Sequence, residues 1–444
     1  MEDSDSILKT ESEKSIQEPL LEKGTTKNHG WALKSAPYIY FRNRFVGVPK
    51  LYWKLSTVAF LFYFAMATSS FLTVFLQKNG FTPSQVGIIN GINFAIAICA
   101  TPFWGVIADK VRSNRKVIIY CMSLGSIFWA LIPIASRITI GPILLIYLMI
   151  PISSFFRLPA NSLMDAFNVQ TCAREGIVYG KVRMWGSISF AIMSISLTAI
   201  LPWVGVEASF FMYGIAYVPL LFLLSRMKDS ADGDEIRKSI PIKEMQFSRL
   251  FKNYYFLTYM VFAIFMQMPI NTSSSFLPYL VEVVGGDSIL YGLVNGYRAF
   301  LEVPMLLLIV PIQKRFPLPV AIILAGVLYT IELSLYSYAT SLVHIMALLS
   351  IHGMAGGLMI GASTSYVFTM APVGLNSTAH TINGAMNSIA AIIGNILGGM
   401  LIMIVGIQQF YSVLSRIVGS ATIYFIITLL VGTKFLHKPI ARFK

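Results

Sequence analysis

Apolar runs of roughly 20 or more residues recur along the chain and restrict its fold more than any other feature. Only 12% of the residues are charged, about half of the ~25% that is usual in a soluble protein. Inside lipid, only helices and closed barrels satisfy their own backbone groups. A barrel would need alternating segments of about 10 residues, which this pattern excludes. We therefore predict an all-α membrane protein.

Twelve transmembrane helices can be placed, six on each side of a polar stretch, which predicts two six-helix bundles. The spans lie near 51–78, 84–108, 117–136, 141–169, 182–204, 207–226, 253–281, 289–312, 317–339, 342–371, 379–405 and 409–434. The predicted organisation is a disordered cytosolic tail (1–46), a first bundle (47–226), a cytosolic central loop (227–252), a second bundle (253–435) and a cytosolic tail (436–444).

The net charge of +14 is explained by membrane topology rather than by nucleic-acid binding. With the N-terminus inside, lysine and arginine fall almost entirely in loops on one side of the twelve spans, and the other side holds few of them. This is the positive-inside rule, and it predicts that both termini are cytosolic. The pattern fits the plasma membrane or an internal organelle membrane equally well.

Enzymatic chemistry has no support in the sequence. The three cysteines, Cys99, Cys121 and Cys172, show neither a disulfide framework nor metal-ligand spacing. No nucleophile–histidine set and no nucleotide-binding loop can be recognised. We therefore expect no enzyme activity, no metal, no cofactor and no transport driven directly by ATP.

A short repeat relates the two halves. Span two contains GIINGIN (87–93) and span eight contains GLVNGYR (292–298), which share G-x-x-N-G at a spacing of 205 residues. The two motifs occupy equivalent places in the halves, which favours duplication. Parallel halves of six spans are typical of secondary transporters, whose binding site lies between the halves near the midplane.

Seven ionisable residues fall inside the predicted spans, and a charge at the bilayer centre costs roughly 2.5–3.5 kcal/mol on insertion scales. They are Arg157, Asp165, Arg183, Arg298, Glu302, Glu332 and His352. Six unpaired charges would together exceed the ~5–15 kcal/mol stability of a typical fold. They must therefore be paired or face a water-filled cavity.

Arg157, Asn161 and Asp165 follow one another at i, i+4 and i+8 on span four, which makes a polar stripe. Asp165 precedes a short loop and Arg183 follows it, each within roughly 6 Å of its helix end. We expect the two charges to face each other, so that a solute hydroxyl can bridge them. For Arg157 a structural role beside Pro159 is equally open.

The other polar residues of the spans admit two interpretations each. Arg298 and Glu302, at i and i+4, are either a self-neutralising pair or part of a site. Glu332 has no local partner and is expected to carry protons, and His352 is either a proton relay or a packing residue. The amides Asn271 and Asn387 either line a cavity or join helices.

The loop GVIADKVRSNRK (105–116) resembles the signature of the major facilitator superfamily, with one inserted residue and an arginine in place of the second glycine. The resemblance implies the major facilitator fold. It also implies a gate in which Gly105 allows close helix packing. Asp109, together with Lys110 and Arg115, would then make contacts that change as the halves rock.

A second resemblance is to the lactose permease branch of that superfamily, which includes nucleoside and phenylpropionate permeases. DAF (165–167) and RMWG (183–186) match its motifs, with eighteen residues between the acid and the arginine. The resemblance implies that Asp165 and Arg183 bind solute and that Phe190 takes the place of a sugar-stacking tryptophan. The segment 324–353 aligns so that His352 falls at the proton-linked histidine, whereas Glu332 and Ala355 depart from the pattern.

The sequence therefore predicts proton-coupled symport of a small polar organic solute (a sugar, nucleoside or organic acid) by alternating access. Asp165, Arg183, Phe190, Arg157 and three amides would bind solute; those amides are Asn161, Asn271 and Asn387. Glu302, Glu332, His352 and Arg298 would couple protons. The expected partners are the solute, the proton and the lipid bilayer, and a monomer is expected. A uniporter and a transport-dead receptor or scaffold remain alternatives.

Overall fold

The computed structural model describes residues 50–140, 143–177, 179–227, 252–315, 317–370 and 376–436. The predicted tail at 1–46, most of the central loop and nearly all of the C-terminal tail lie outside these residues. Helices cover all twelve predicted spans.

The first half contains nine helices among its described residues. They are α1 (Lys50–Thr68), α2 (Leu72–Lys78), α3 (Pro83–Val111), α4 (Asn114–Ala130), α5 (Ile132–Ala135), α6 (Ile146–Arg157), α7 (Pro159–Arg174), α8 (Tyr179–Val204) and α9 (Ala208–Ser225). The described second half adds α10 (Tyr254–Val283), α11 (Tyr291–Arg315), α12 (Leu318–Tyr336), α13 (Leu342–Met370), α14 (Asn376–Val405) and α15 (Ile407–Leu430). Single turns at Ser69–Phe71, Ser288–Leu290 and Val431–Phe435 extend or join helices.

Within the described parts of the chain, nine helical segments are long and apolar enough to cross a membrane by length and composition alone. The remaining spans are α6 with α7, α10 and α11. These helices carry much of the polar sequence, because they contain Arg157, Asp165, Asn271, Arg298 and Glu302.

Span four differs from the continuous helix that the sequence predicts. It begins after a two-stranded antiparallel ladder of β1 (Thr139–Ile140) and β2 (Ile143–Leu144). The helix is interrupted at Leu158, because Pro159 has no N–H to donate and starts a new helix, α7. α7 continues to Arg174, so Asp165 lies nine residues before the helix end, and deeper than the predicted depth.

Each half is a bundle, and two helix pairs join the halves. Within the first half α8 and α9 pack against α1, and α4 packs against α6 and α9. Within the second half α12 packs on α13 and α15, and α10 packs on α14 and α15. Between the halves α3 lies against α14, and α8 lies against α11.

Two further pairs of equivalent residues, just before the G-x-x-N-G motif, are also 205 residues apart. Gly80 and Gly285, which are 205 apart, both have positive φ, at 78° and 88°, where glycine is favoured. Thr82 and Asp287, also 205 apart, both cap the helical segment that follows with a side-chain oxygen. The local structure at the start of spans two and eight is therefore the same in both halves.

The motif glycines lie where the two halves touch. A Cβ at Gly292 would be 2.5 Å from the Ser194 carbonyl oxygen of α8, and one at Gly296 would be 2.9 Å from the Ala191 carbonyl oxygen. On the other seam, a Cβ at Gly87 would overlap the Asn395 carbonyl of α14. Small residues let helix backbones approach closely, and these glycines therefore permit both seams.

Polar contacts join the two halves at the end of the molecule where α2 and α10 stop. We call this end the far end. The Gln77 amide contacts the Glu282 carboxylate, and Lys78 forms an ion pair of 3.0 Å with Asp287. The Tyr279 hydroxyl donates to the Phe81 carbonyl oxygen at 3.4 Å. Among the described residues, all hydrogen bonds and ion pairs between the halves lie at this end.

Asp287 is well suited to hold this contact. Partial burial acts to raise the pKa of its carboxyl, but the Ile289 backbone N–H and Lys78 lower it below its usual value. The group is therefore ionised at neutral pH. The contribution of its ion pair to stability is present above the ordinary pKa of an aspartate, and it is lost as the pH falls through the lowered pKa.

We predict that Gly87→Leu keeps the far end from closing, because the added side chain meets the backbone of α14. A disulfide between cysteines placed at Gln77 and Glu282 reports closure, and its yield should fall to less than about half. Gly105→Leu is the matched control on the same helix, since a Cβ there meets nothing within 4 Å. Equal yields in the two variants would contradict the prediction.

Candidate functional site

In the first half, Asp165 is held by two tyrosines. Its Oδ1 accepts hydrogen bonds from the Tyr179 hydroxyl of α8 at 2.9 Å and from the Tyr63 hydroxyl of α1 at 3.1 Å. Three helices, α1, α7 and α8, therefore converge on one carboxylate. The side chain is half-buried, which leaves it accessible to a solute.

Arg183 lies beside this carboxylate but does not pair with it directly. Its guanidinium carbon is 3.9 Å from the centre of the Tyr63 ring, and its Nη1 donates to the Ser187 hydroxyl at 3.3 Å. No ion pair joins Asp165 and Arg183 in the described structure. The expected face-to-face contact is thus replaced by a contact through Tyr63, which hydrogen-bonds one charge and stacks on the other.

Arg157 occupies a different environment. It is only 6% exposed, and its guanidinium carbon lies 4.0 Å from the centre of the Trp129 ring and 5.7 Å from that of Tyr213. Gly125 makes room for it, because a Cβ there would be 3.3 Å from the Arg157 backbone. The structure therefore separates Arg157 from Asp165 and Arg183 and places it in the core of the first bundle, on aromatic faces.

The predicted amide and aromatic residues divide into two groups. The side-chain oxygens of Asn161 and Asn387 are buried and have no hydrogen-bond partner in the described structure. Asn271 donates to the Gln267 carbonyl oxygen of its own helix at 2.9 Å. Phe190 is half-buried. Asn161 and Asn387 thus have acceptors to offer a solute, whereas the amide of Asn271 is partly used by its helix.

In the second half, Glu332 and His352 form a buried pair. The imidazole Nδ1 lies 2.9 Å and 3.2 Å from the two carboxylate oxygens, and the Glu332 side chain is 1% exposed. The pair joins α12 to α13, and the Tyr329 ring lies edge-on to the imidazole at 5.4 Å. The sequence shows no local partner for Glu332. Its partner is His352, twenty residues away in the chain.

Arg298 connects this pair to a second carboxylate. Its Nε is 3.7 Å from Glu302, and its Nη1 donates to the Ser274 hydroxyl at 2.8 Å. Arg298, Ser274, Glu332 and His352 line one cavity of about 10 Å³, close to the size of a single water molecule. All four predicted proton-coupling residues therefore belong to one connected cluster.

The predicted gate residues are in a less tightly packed region. Asp109 and Lys110 are exposed at the end of α3, and neither forms an ion pair with another described side chain. A Cβ at Gly105 would meet nothing within 4 Å, so the expected close packing at this glycine is not seen among the described residues. Arg115 binds the carbonyl oxygens of Leu224 and Ser225, at 3.3 and 3.0 Å, and so joins α4 to the end of α9 within one half.

Several residues of the two clusters were not predicted from the sequence. Tyr63 and Tyr179 complete the Asp165 cluster, while Ser274 and Tyr336 line the Arg298 cavity. Tyrosine is frequent in this chain, and nothing in its spacing distinguishes these positions. One signal was present, since Gly186 of the RMWG motif provides the space that the Tyr63 ring occupies.

Comparison with known proteins identifies the family. The model of the MFS_1 like family matches residues 52–413. The chain belongs to this family. The match covers most of the chain and confirms the major facilitator fold and the likeness to the lactose permease branch.

Individual relatives agree with this assignment. The maltose permease of Geobacillus stearothermophilus is 23% identical over 77% of this chain and 86% of its own length. The raffinose permease of Escherichia coli is 23% identical over 88% of this chain and 95% of its own. The crystal structure of the nucleoside transporter NupG has a TM-score of 0.72 at 15% identity, covering 86% of this chain and 98% of that one. The protein is therefore a multi-pass membrane transporter of the major facilitator superfamily and not an enzyme.

We predict that Glu332→Ala destabilises the protein strongly. Removing one partner of a buried pair typically costs about 3–5 kcal/mol, and the free energy of unfolding can be measured in mixed detergent micelles. Glu302→Ala is the control, because its side chain is 32% exposed, so solvent screens its pair with Arg298 and the loss should be smaller. A similar loss of unfolding free energy in both variants would show that burial does not determine how much the Glu332–His352 pair contributes to stability.

Proposed function

We propose that the protein is a proton-coupled symporter of a small polar organic solute. The observation that carries the proposal is the division of the buried charges into two clusters. One, with Asp165 and Arg183, lies in the first half, and the other, with Glu332 and His352, lies in the second half. Coupled transport of two species requires two sites, each of which changes the affinity of the other for its ligand, and the two clusters are candidates for such sites.

The Asp165 cluster is proposed to bind the solute. The carboxylate offers an acceptor and the Arg183 guanidinium offers planar donors, which suit neighbouring hydroxyl groups. The buried side-chain oxygens of Asn161 and Asn387 come from opposite halves. A solute that reaches both would be held across the interface. Phe190 supplies an apolar surface for the solute ring.

The Glu332 cluster is proposed to bind the proton. With one proton between them, carboxylate and imidazole are neutral overall, so the pair is tolerated in a low-dielectric interior. Loss of that proton leaves a net negative charge, which Arg298 in the same cavity would stabilise. Arg298 also contacts Glu302, and deprotonation would therefore shift the guanidinium towards Glu332. This movement lies on α11, which packs on the α8 helix of Arg183.

A sugar is the favoured solute class. The two curated relatives described above are a maltose permease and a raffinose permease. A D-xylose–proton symporter has a similar fold, with a TM-score of 0.63 over 88% of this chain and 98% of that one. A nucleoside offers similar hydroxyl groups, and the NupG structure keeps it as the second candidate.

The transport cycle is proposed to be alternating access, with the far end closed in this structure. The positive-inside rule assigns the opposite end, where the described chain begins at Lys50 and ends at Leu436, to the cytosol. The solute site then faces the cytosol here and the outside after the seams at Gly87 and Gly292 separate. A monomer contains both clusters and is sufficient for this cycle.

The decisive experiment is uptake into proteoliposomes with an imposed pH gradient. Maltose, raffinose and uridine are the first probes, followed by a wider set of metabolites. Symport predicts accumulation that an acidic exterior drives and a protonophore abolishes. Uptake that ignores both would indicate a uniporter, and the absence of any uptake or binding would favour a receptor or scaffold.

We predict that Glu332→Gln abolishes proton-driven accumulation but retains solute exchange across the membrane. Glutamine preserves the size and one acceptor of the side chain but cannot carry a proton at this position. Counterflow measures exchange and the pH-gradient assay measures accumulation. The matched control is Glu175→Gln, whose exposed carboxylate pairs with Arg174 at 3.2 Å outside both clusters, and it should keep both activities.

We predict that Arg183→Ala lowers transport at least about tenfold while the protein still reaches the membrane. Arg183→Lys should rescue poorly, because an ammonium is a point charge and a guanidinium makes two-pronged contacts. Surface expression and initial uptake rate are measured together. Wild-type transport by Arg183→Ala would move the solute site elsewhere, to the region of Arg298 and Glu302.

A further inference from the structure

Tyr63 contacts both charges of the first-half cluster. Its hydroxyl donates to Asp165, its ring lies 3.9 Å from the Arg183 guanidinium carbon, and the Cδ2–Cε2 edge of the ring lies against Gly186. A Cβ at Gly186 would overlap this ring. The position of the ring is therefore fixed by α8 on one side and by the carboxylate on the other.

The absence of a direct Asp165–Arg183 ion pair, noted above for the described residues, needs an explanation. Both groups are half-buried, and opposite charges in a protein interior attract far more strongly than in water. Arginine and carboxylate prefer a two-pronged contact. Tyr63 contacts both groups at once, which makes it the candidate for the residue that separates them.

The separation leaves specific atoms available. Asp165 uses Oδ1 for both tyrosine hydroxyls, and Arg183 uses Nη1 for Ser187. Within the described residues, Oδ2 of Asp165 and Nη2 of Arg183 have no hydrogen-bond partner. A neutral solute can take up these atoms without first breaking a salt bridge, which reduces the free energy required for binding.

We propose that Tyr63 is a positioning residue that acts as a spacer and prevents Asp165 and Arg183 from closing into a direct ion pair. One part of the proposal rests on the proposed function, namely that the separation leaves both charges available to a solute. The separation itself is a property of the solute-free protein. It also defines the solute more closely. The ligand must present a donor to Oδ2 and an acceptor to the guanidinium, as two neighbouring hydroxyls of a sugar do.

A thermal-unfolding cycle on the purified protein tests the spacer without any solute. Asp165→Asn is measured in three backgrounds, which are the wild type, Tyr63→Phe and Tyr63→Ala. Such a cycle isolates how one side chain changes the interaction of two others. Tyr63→Leu repeats the third background with a larger side chain, in case the alanine variant does not fold.

The two possibilities predict opposite signs. If removing the ring lets the ion pair form, Asp165→Asn breaks that pair and leaves Arg183 unpaired. The substitution should then lower the melting temperature by at least about 3 °C more in Tyr63→Ala than in the wild type. If Tyr63 is only a packing residue, Asp165 has already lost one hydrogen bond in Tyr63→Ala, so Asp165→Asn costs the same or less. That second result would overturn the proposal.

Two controls complete the design. Tyr63→Phe keeps the ring and loses only the hydroxyl, so the effect of Asp165→Asn there should not exceed its effect in the wild type. Tyr52 also links α1 to α8, because its hydroxyl lies 3.1 Å from the Trp185 indole nitrogen. Tyr52→Ala removes a comparable aromatic contact away from the charges and should leave the effect of Asp165→Asn unchanged. An increase there as large as in Tyr63→Ala would also overturn the proposal.

Failure of the spacer and failure of the proposed function can be told apart. The thermal cycle contains no solute and reports only on the spacer. In the uptake assay, a normal rate for Asp165→Asn would remove the solute site from this cluster, whatever the cycle shows. A larger melting shift with normal uptake would mean that Tyr63 separates two charges that serve stability alone.

Discussion

The cost of placing charge inside a membrane governs where this chain puts its polar side chains. An isolated charge near the bilayer centre is unfavourable by several kcal/mol, and few ionisable residues occur inside the spans. In the second half the solution is a carboxylate paired with an imidazole at 2.9 Å and a guanidinium beside a second carboxylate. The first contact ties α12 to α13, and Arg298 also donates to Ser274 and so ties α11 to α10.

The first half solves the same problem differently. Arg157 lies on Trp129 and Arg183 lies on Tyr63, so both cations are stabilised by aromatic faces. A guanidinium on an aromatic ring does not change its charge at any physiological pH. An imidazole, by contrast, is a group that can bind and release a proton. This difference supports the proposed assignment of solute binding to the first half and proton binding to the second.

Features that depend on residues close together in the sequence were predicted, whereas contacts between distant residues were not. Span positions depend on hydropathy within about 20 residues, and helices cover all twelve. The Arg298–Glu302 contact is an i, i+4 pair and was accessible in the same way. The Glu332–His352 contact depends on how α12 packs on α13, and the Tyr63 contact depends on α1 lying against α8. Neither has a local sequence signal. The depth of Asp165 was misjudged because α7 continues through polar residues to Arg174, where hydropathy no longer marks the helix.

The contact between Gln77 and Glu282 has a consequence for the origin of the two halves. These residues are 205 apart, the spacing that relates the glycine motifs, so under the duplication that this repeat favours they hold equivalent positions in the two halves. In a symmetric dimer of identical half-proteins, a twofold axis would force the same residue to meet itself there. Two glutamates would repel, and two glutamines would lack the charge. When the halves are fused into one chain, the two equivalent positions can carry different residues. An amide can then donate to a carboxylate. The covalent link between the halves thereby permits an amide–carboxylate contact at this position, which two identical halves could not make.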